Sequence, residues 1–225
     1  MNLRIFDTLD DLTAATARTI LQRVAGGART IALSGGSTPK PLYALLGRSA
    51  ELREAPIVWV VVDERYVPIE HPESNAGMME QTLFAGGMAP AHRFLRFRTE
   101  LDDPAATARA FEDEWRELGL GELDLVLLGV GDDGHTASLF PGTAVLQVED
   151  RIASEVFVPR LNAWRVTITR PVIRAAKARL VLVGGASKRP ILEQVRAGAD
   201  YPIAQVTRET TDTWWLVTRD AAPEI

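Results

Sequence analysis

The sequence predicts an α/β protein: a doubly wound, mostly parallel sheet with helices on both faces, built by residues 1–225 as one domain. Two observations carry this. Short apolar runs alternate with segments of helical period along nearly the whole chain. Most of those runs are apolar throughout rather than every second residue, as in strands buried on both faces of a parallel sheet. No internal repeat, low-complexity tract or Pro/Ser-rich linker divides them.

In chain order, LRIF is a first strand. Thr8 opens a helix over the following DTLDDLTAATARTILQRVAGG, with Asp11 as its capping partner and Gly26-Gly27 as its stop. RTIAL is the next strand, followed by SGGST and a helix begun by Pro39. IVWVVV, nearly pure β-formers, ends in DERYVP. SNAGMMEQTLF and PAATARAFEDEWRELGL read as helices and DLVLLGV as a strand. After GVGDDGH a short helical piece, TASLF, is broken by Pro141-Gly142. ASEVFV and WRVTIT are strands, Pro171 starts a short helix, and ARLVLVGG, SKRPILEQVRAG and WWLVT read as strand, helix and strand. Trp214 and Trp215 are expected in core and edge packing.

Composition narrows the function. The chain is 46% hydrophobic and 24% charged, as in an ordinary globular protein, with a net charge of −5 and scattered basic residues. A nucleic-acid or anionic-membrane partner needs a basic face, so neither is expected. There is no cysteine, hence no disulfide and no thiolate chemistry. No leader-like or membrane-spanning run is present, which predicts a cytoplasmic protein.

In parallel sheets ligands bind beyond the carboxyl ends of the strands. Four such ends carry unusual polar residues: SGGST, DER, GVGDDGH and GGASKR. The third contains G-x-G-x-x-G, the dinucleotide fingerprint. Asp132 and Asp133 lie inside that turn, where two carboxylates would repel a pyrophosphate, and no long helix follows. Its glycines are therefore read as shaping a tight turn that presents His135. His71 and His92 are read as surface residues, whereas His135 has the chemistry of a general base, with Asp63 or Asp133 as its orienter. No second histidine stands at ligand spacing, so no metal is expected. Ser34, Gly35, Gly36, Ser37 and Thr38 form a turn of small donors suited to a phosphate; it is not a Walker A loop, and no G-x-S-x-G elbow occurs. Arg65, Arg165 and Lys188 are the candidate cations.

Taken together, SGGSTP, DER with Pro68 and Ser74-Asn75 following, GVGDDGHTASLFPG, RVTIT with Pro171, and GGASK resemble the 6-phosphogluconolactonase family, in that family's order and over nearly the whole chain. The resemblance implies hydrolysis of a sugar-phosphate lactone with no metal and no organic cofactor. It implies His135 as base, the 34–38 loop with Arg165 and Lys188 on the phosphate, and Arg65 steadying substrate or a developing oxyanion. The related glucosamine-6-phosphate deaminases share the histidine loop but carry a Glu five residues on, where this chain has Phe140. A deaminase or isomerase, which would use Asp63 or Asp133 to move a carbon-bound proton, and a non-catalytic sugar-phosphate sensor are the competing readings. A monomer or small homo-oligomer is expected.

Overall fold

The computed structural model describes residues 1–101 and 103–224; Asp102 and Ile225 lie outside the described residues. The chain runs β1 (Asn2–Phe6), α1 (Leu9–Ala25), β2 (Thr30–Leu33), α2 (Lys40–Leu46), α3 (Ala50–Glu54), β3 (Val58–Val61), β4 (Asp63–Arg65), α4 (Asn75–Thr82), β5 (Arg93–Leu95), α5 (Pro104–Glu117), β6 (Leu125–Leu128), β7 (Ala153–Val158), β8 (Ala163–Ile168), α6 (Arg170–Ala175), β9 (Arg179–Val183), α7 (Arg189–Arg196), α8 (Pro202–Thr207) and β10 (Thr213–Thr218). Thr8 caps α1 as its sequence predicts: its hydroxyl accepts the Asp11 N–H at 3.1 Å.

Seven strands form one sheet in the order β1-β10-β9-β6-β2-β3-β5, parallel at every pairing. From β2 the chain winds outward to β3 and β5; it then returns to lay β6 on the other side of β2 and winds outward again through β9 and β10. The direction of winding therefore reverses between β2 and β6. At such a switch point successive connections leave to opposite faces, and a crevice opens beyond the strand ends. The central strands are buried on both faces, β6 and β9 at every residue, which is why their sequences do not alternate.

The remaining three strands form a second, antiparallel sheet in the order β4-β8-β7. This corrects the expectation for DER, ASEVFV and WRVTIT. DER is a separate short strand rather than the end of the preceding one, and none of the three segments joins the parallel sheet. β7 and β8 are linked by a turn at residues 159–162, with Asn162 in the left-handed region at φ 45°. A tight reversal of this kind permits only antiparallel pairing. The Ile168 N–H donates to the Val62 carbonyl at 2.9 Å and ties the small sheet to the end of β3.

Two further expectations are corrected. TASLF is not a helix: Thr136 and Leu139 pair across a turn with Ala137 at φ 50°. His92 is buried, not superficial; its Nδ1 accepts the Trp59 indole N–H at 3.2 Å, and Nε2 lies 2.8 Å from the Leu52 carbonyl. The short elements α3, β5 and α8 were not anticipated, because runs of three to six residues carry too little periodicity. His71 is exposed and Trp215 buried, as expected.

Asp124 fastens the far end of the sheet. Its carboxylate accepts the Arg29 N–H at 2.7 Å, the Thr30 N–H at 3.0 Å, the Thr30 hydroxyl at 3.1 Å and Lys177 Nζ at 2.7 Å. Burial alone would raise its pKa, but these donors outweigh it and pull the carboxyl from 3.8 to about 2. A pKa lowered by folding stabilises the native state above the unfolded value and loses that contribution as pH falls through the folded value. At 1.36 kcal/mol per unit this amounts to about 2 kcal/mol at neutral pH. Asp124→Asn is accordingly expected to lower unfolding stability by about 2 kcal/mol at pH 7 in urea titrations, with the deficit narrowing toward pH 2.

Candidate active site

The carboxyl ends of β2, β6 and β9 meet the small sheet at the switch point and enclose a cleft of about 390 Å³. Ten of the residues singled out in the sequence line it: Ser34, Gly35, Gly36, Ser37, Thr38, Asp63, Arg65, His135, Arg165 and Lys188. Asp133 stands behind His135. The four polar strand ends therefore do converge, although DER reaches the cleft from the second sheet.

The His135 loop is built by close approach. Its Nδ1 lies 2.5 Å from Asp133 Oδ1, and its backbone N–H donates to the same oxygen at 3.2 Å. Asp133 is held below the usual carboxylate range: burial raises it, but the bond from His135 and the nearby Arg160 guanidinium prevail. An ionised carboxylate only accepts, so Nδ1 carries a proton, and in the neutral imidazole the lone pair is on Nε2. Of the two carboxylates considered as orienter, the structure sets Asp133, not Asp63, against the imidazole. Phe140, nearly fully buried, stacks on the ring with centroids 4.2 Å apart.

The glycines of the fingerprint have distinct physical reasons. A Cβ on Gly131 would fall 1.9 Å from His135 Nδ1. Gly134 has φ +75° and would drive a Cβ to 2.4 Å from the Tyr201 ring. Gly129 has open space. The imidazole thus occupies the space a side chain at Gly131 would take. Gly35 serves similarly across the cleft, since a Cβ there would strike the Asn75 side chain at 1.8 Å.

DER divides its work among three directions. The Asp63 carboxylate accepts the Ser138 hydroxyl at 2.6 Å, and its carbonyl accepts from Asn75 Nδ2 at 2.7 Å. It thereby pins the histidine turn to α4. Glu64 is buried at the start of α4, where it accepts the N–H groups of Asn75 and Ala76 at 2.8 and 2.7 Å; burial still pushes its pKa up. Arg65 donates to the Glu73 carbonyl.

Arg65 stands directly opposite Arg165 in the β4–β8 register. Like charges so paired destabilise a sheet unless something compensates them. Burial, and then Arg65, push the Arg165 guanidinium below its ordinary value. Of eight side-chain atoms buried without a hydrogen-bond partner among the described residues, three belong to the cleft: Arg165 Nε, Ser34 Oγ and Thr136 Oγ1. Lys188 Nζ lies 2.6 Å from the exposed Asp132 carboxylate at the cleft mouth. The cleft as a whole brings Arg65, Arg165, Lys188 and the small residues of the 34–38 turn beside the His135 imidazole.

Sequence reasoning missed Asn75, Ser138 and Arg160 as cleft residues. Ser138 lies within the histidine motif and could have been inferred from it. Arg160 occupies a turn with no motif around it.

A doubly wound α/β protein with an anion-complementary, histidine-bearing cleft at its switch point is the class that fold and site define. Residues 5–215 match the family described as glucosamine-6-phosphate isomerases/6-phosphogluconolactonase, and the chain belongs to that family. It is 38% identical over 237 residues to the 6-phosphogluconolactonase of Nostoc sp., with 97% of both chains covered. In structure it is similar to the 6-phosphogluconolactonase from Trypanosoma cruzi: TM-score 0.87, 27% identity, 98% of this chain and 95% of that one. A monomeric glucosamine-6-phosphate deaminase shares the fold alone, at 21% identity and TM-score 0.81 over 98% of each chain.

Proposed function

We propose that this chain hydrolyses 6-phospho-D-glucono-1,5-lactone to 6-phospho-D-gluconate, acting in the cytoplasm without a metal or organic cofactor. Membership of the family and the 6-phosphogluconolactonases among its relatives support the reading. The observation that carries it is the His135–Asp133 couple facing paired Arg65 and Arg165, with Phe140 where a ring-opening deaminase needs an acid.

In this reading His135 Nε2 takes a proton from water as the water oxygen bonds to the lactone carbonyl carbon. The tetrahedral intermediate collapses with cleavage of the bond from that carbon to the ring oxygen. Nε2 returns its proton to that oxygen, leaving a hydroxyl and a carboxylic acid that ionises. Asp133 holds the imidazole in the required tautomer and steadies its charge while it is protonated. The Ser34–Thr38 loop, Arg165 and Lys188 hold the phosphate, with the phosphate replacing Asp132 as the partner of Lys188. Arg65 steadies substrate or the developing oxyanion. Asp63 acts by fixing the turn that carries Ser138. A lactone is an activated ester, so one positioned base contributing ~10²–10⁴-fold is sufficient chemistry and no nucleophilic side chain is required.

The phosphate assignment is tested by comparing lactones. Unphosphorylated gluconolactone is expected to react with a kcat/KM at least ~100-fold lower, because it forfeits several charge-assisted hydrogen bonds. Lys188→Ala should raise KM for the phosphorylated lactone while leaving KM for the unphosphorylated one unchanged. Equal turnover of the two lactones would refute the phosphate site.

A further inference from the structure

The cleft contains a fourth cation that no motif marks. Arg160 belongs to the turn between β7 and β8, in the small antiparallel sheet, and its side chain is half exposed. Its Nη2 lies 2.7 Å from Asp133 Oδ2, while the other oxygen of the same carboxylate holds His135 Nδ1 at 2.5 Å. The guanidinium carbon is 5.1 Å from the centre of the Phe140 ring, and Phe140 is stacked on the imidazole. Four side chains thus close a circuit: imidazole, carboxylate, guanidinium, phenyl.

This circuit has a physical consequence. A carboxylate with one partner can rotate about its side-chain torsions, whereas one gripped at both oxygens has its plane fixed. The Asp133 backbone belongs to the same short loop as His135 and cannot by itself set that plane. Arg160 comes from a different sheet, so it references the loop to an independent frame. Arg65, Arg165 and Lys188, by contrast, have no bond to Asp133 or His135 among the described residues.

We propose that Arg160 is a positioning residue: it acts through Asp133 to hold His135 in its working orientation, and it is not a ligand of the substrate phosphate. The kinetic part of this inference rests on the lactonase reading; the spectroscopic part does not.

The test is a double-mutant cycle on the full chain with freshly generated 6-phosphogluconolactone. Arg160→Ala is expected to lower kcat about tenfold with KM within about twofold of wild type, and Arg160→Lys to recover much of the loss. In an Asp133→Asn background, Arg160→Ala should bring no further loss, because the group it acts through is gone. An equal loss in both backgrounds would overturn the proposal, as would a rise in KM with kcat unchanged, the signature of a phosphate ligand. The side chain is half exposed, so its removal leaves no core cavity, and an unchanged melting temperature verifies the fold. Independently of any substrate, the ¹⁵N spectrum of the His135 ring should report one Nδ1–H tautomer in wild type and a mixture in Arg160→Ala. Identical ring spectra would reject the positioning role even if the wild-type protein fails to hydrolyse the lactone.

Discussion

His135→Ala is expected to lower kcat by ~100-fold or more while changing KM only slightly. In the proposed mechanism the imidazole supplies a proton-transfer path used in the transition state and little ground-state binding, and a positioned base contributes ~10²–10⁴-fold. In that mechanism KM is set elsewhere in the cleft, by the 34–38 loop and the cations. Replacement should barely disturb the fold, because the ring is partly exposed and rests on Phe140 and Gly131 rather than filling the core. Steady-state kinetics with spontaneous lactone hydrolysis subtracted gives the answer. Near wild-type turnover by a folded variant would remove His135 from the chemistry.

Gly131→Ala is expected to approach the same loss without replacing any charged side chain. The added methyl would sit 1.9 Å from Nδ1, 2.1 Å from Cε1 and 2.8 Å from Asp133 Oδ1. The imidazole cannot simply tilt away, since Phe140 is stacked against it. The ring must leave its bond to Asp133, and a misplacement of about 1 Å in a reacting group can reduce rate ~100-fold. Overpacking should also lower stability by about 1–3 kcal/mol. Gly129→Ala, at the first glycine of the same fingerprint, meets open space and should retain its melting temperature. A Gly131→Ala variant with undiminished kcat would show that the ring has room the structure does not give it.

These two substitutions show what kind of information the sequence held. Continuous apolar runs made the parallel sheet readable, because burial on both faces leaves a one-dimensional signature. GVGDDGH could be read as a loop presenting His135, because aspartates inside the turn and a prolyl break after it contradict a pyrophosphate site. Pairing of strands in a second sheet has no such signature. DER reads as a charged strand end whether it forms a loop or pairs with RVT, and only three dimensions show Arg65 opposite Arg165. The choice between Asp63 and Asp133 was open for the same reason: it depends on Ser138 claiming Asp63. His92 was misread because a histidine beside Pro90 and Arg93 gives no hint that Trp59 and Leu52 will satisfy both ring nitrogens in the core. Arg160 was out of reach, since its contact with Asp133 joins two sheets.

The central claim is that this cleft directs water to a lactone carbonyl rather than moving a carbon-bound proton of an amino sugar. Phe140 is the residue on which the two chemistries part: deaminase chemistry needs an acid beside the histidine, and a buried phenyl ring stacked on the imidazole cannot provide one. The most direct measurement follows one preparation of the wild-type protein against two substrates: freshly generated 6-phosphogluconolactone, with the spontaneous rate subtracted, and glucosamine 6-phosphate, with ammonia as the readout. The account predicts rapid lactone hydrolysis and no ammonia at any enzyme concentration that completes it. Ammonia released at a rate comparable with lactone turnover, or no lactone hydrolysis above the spontaneous rate, would contradict it.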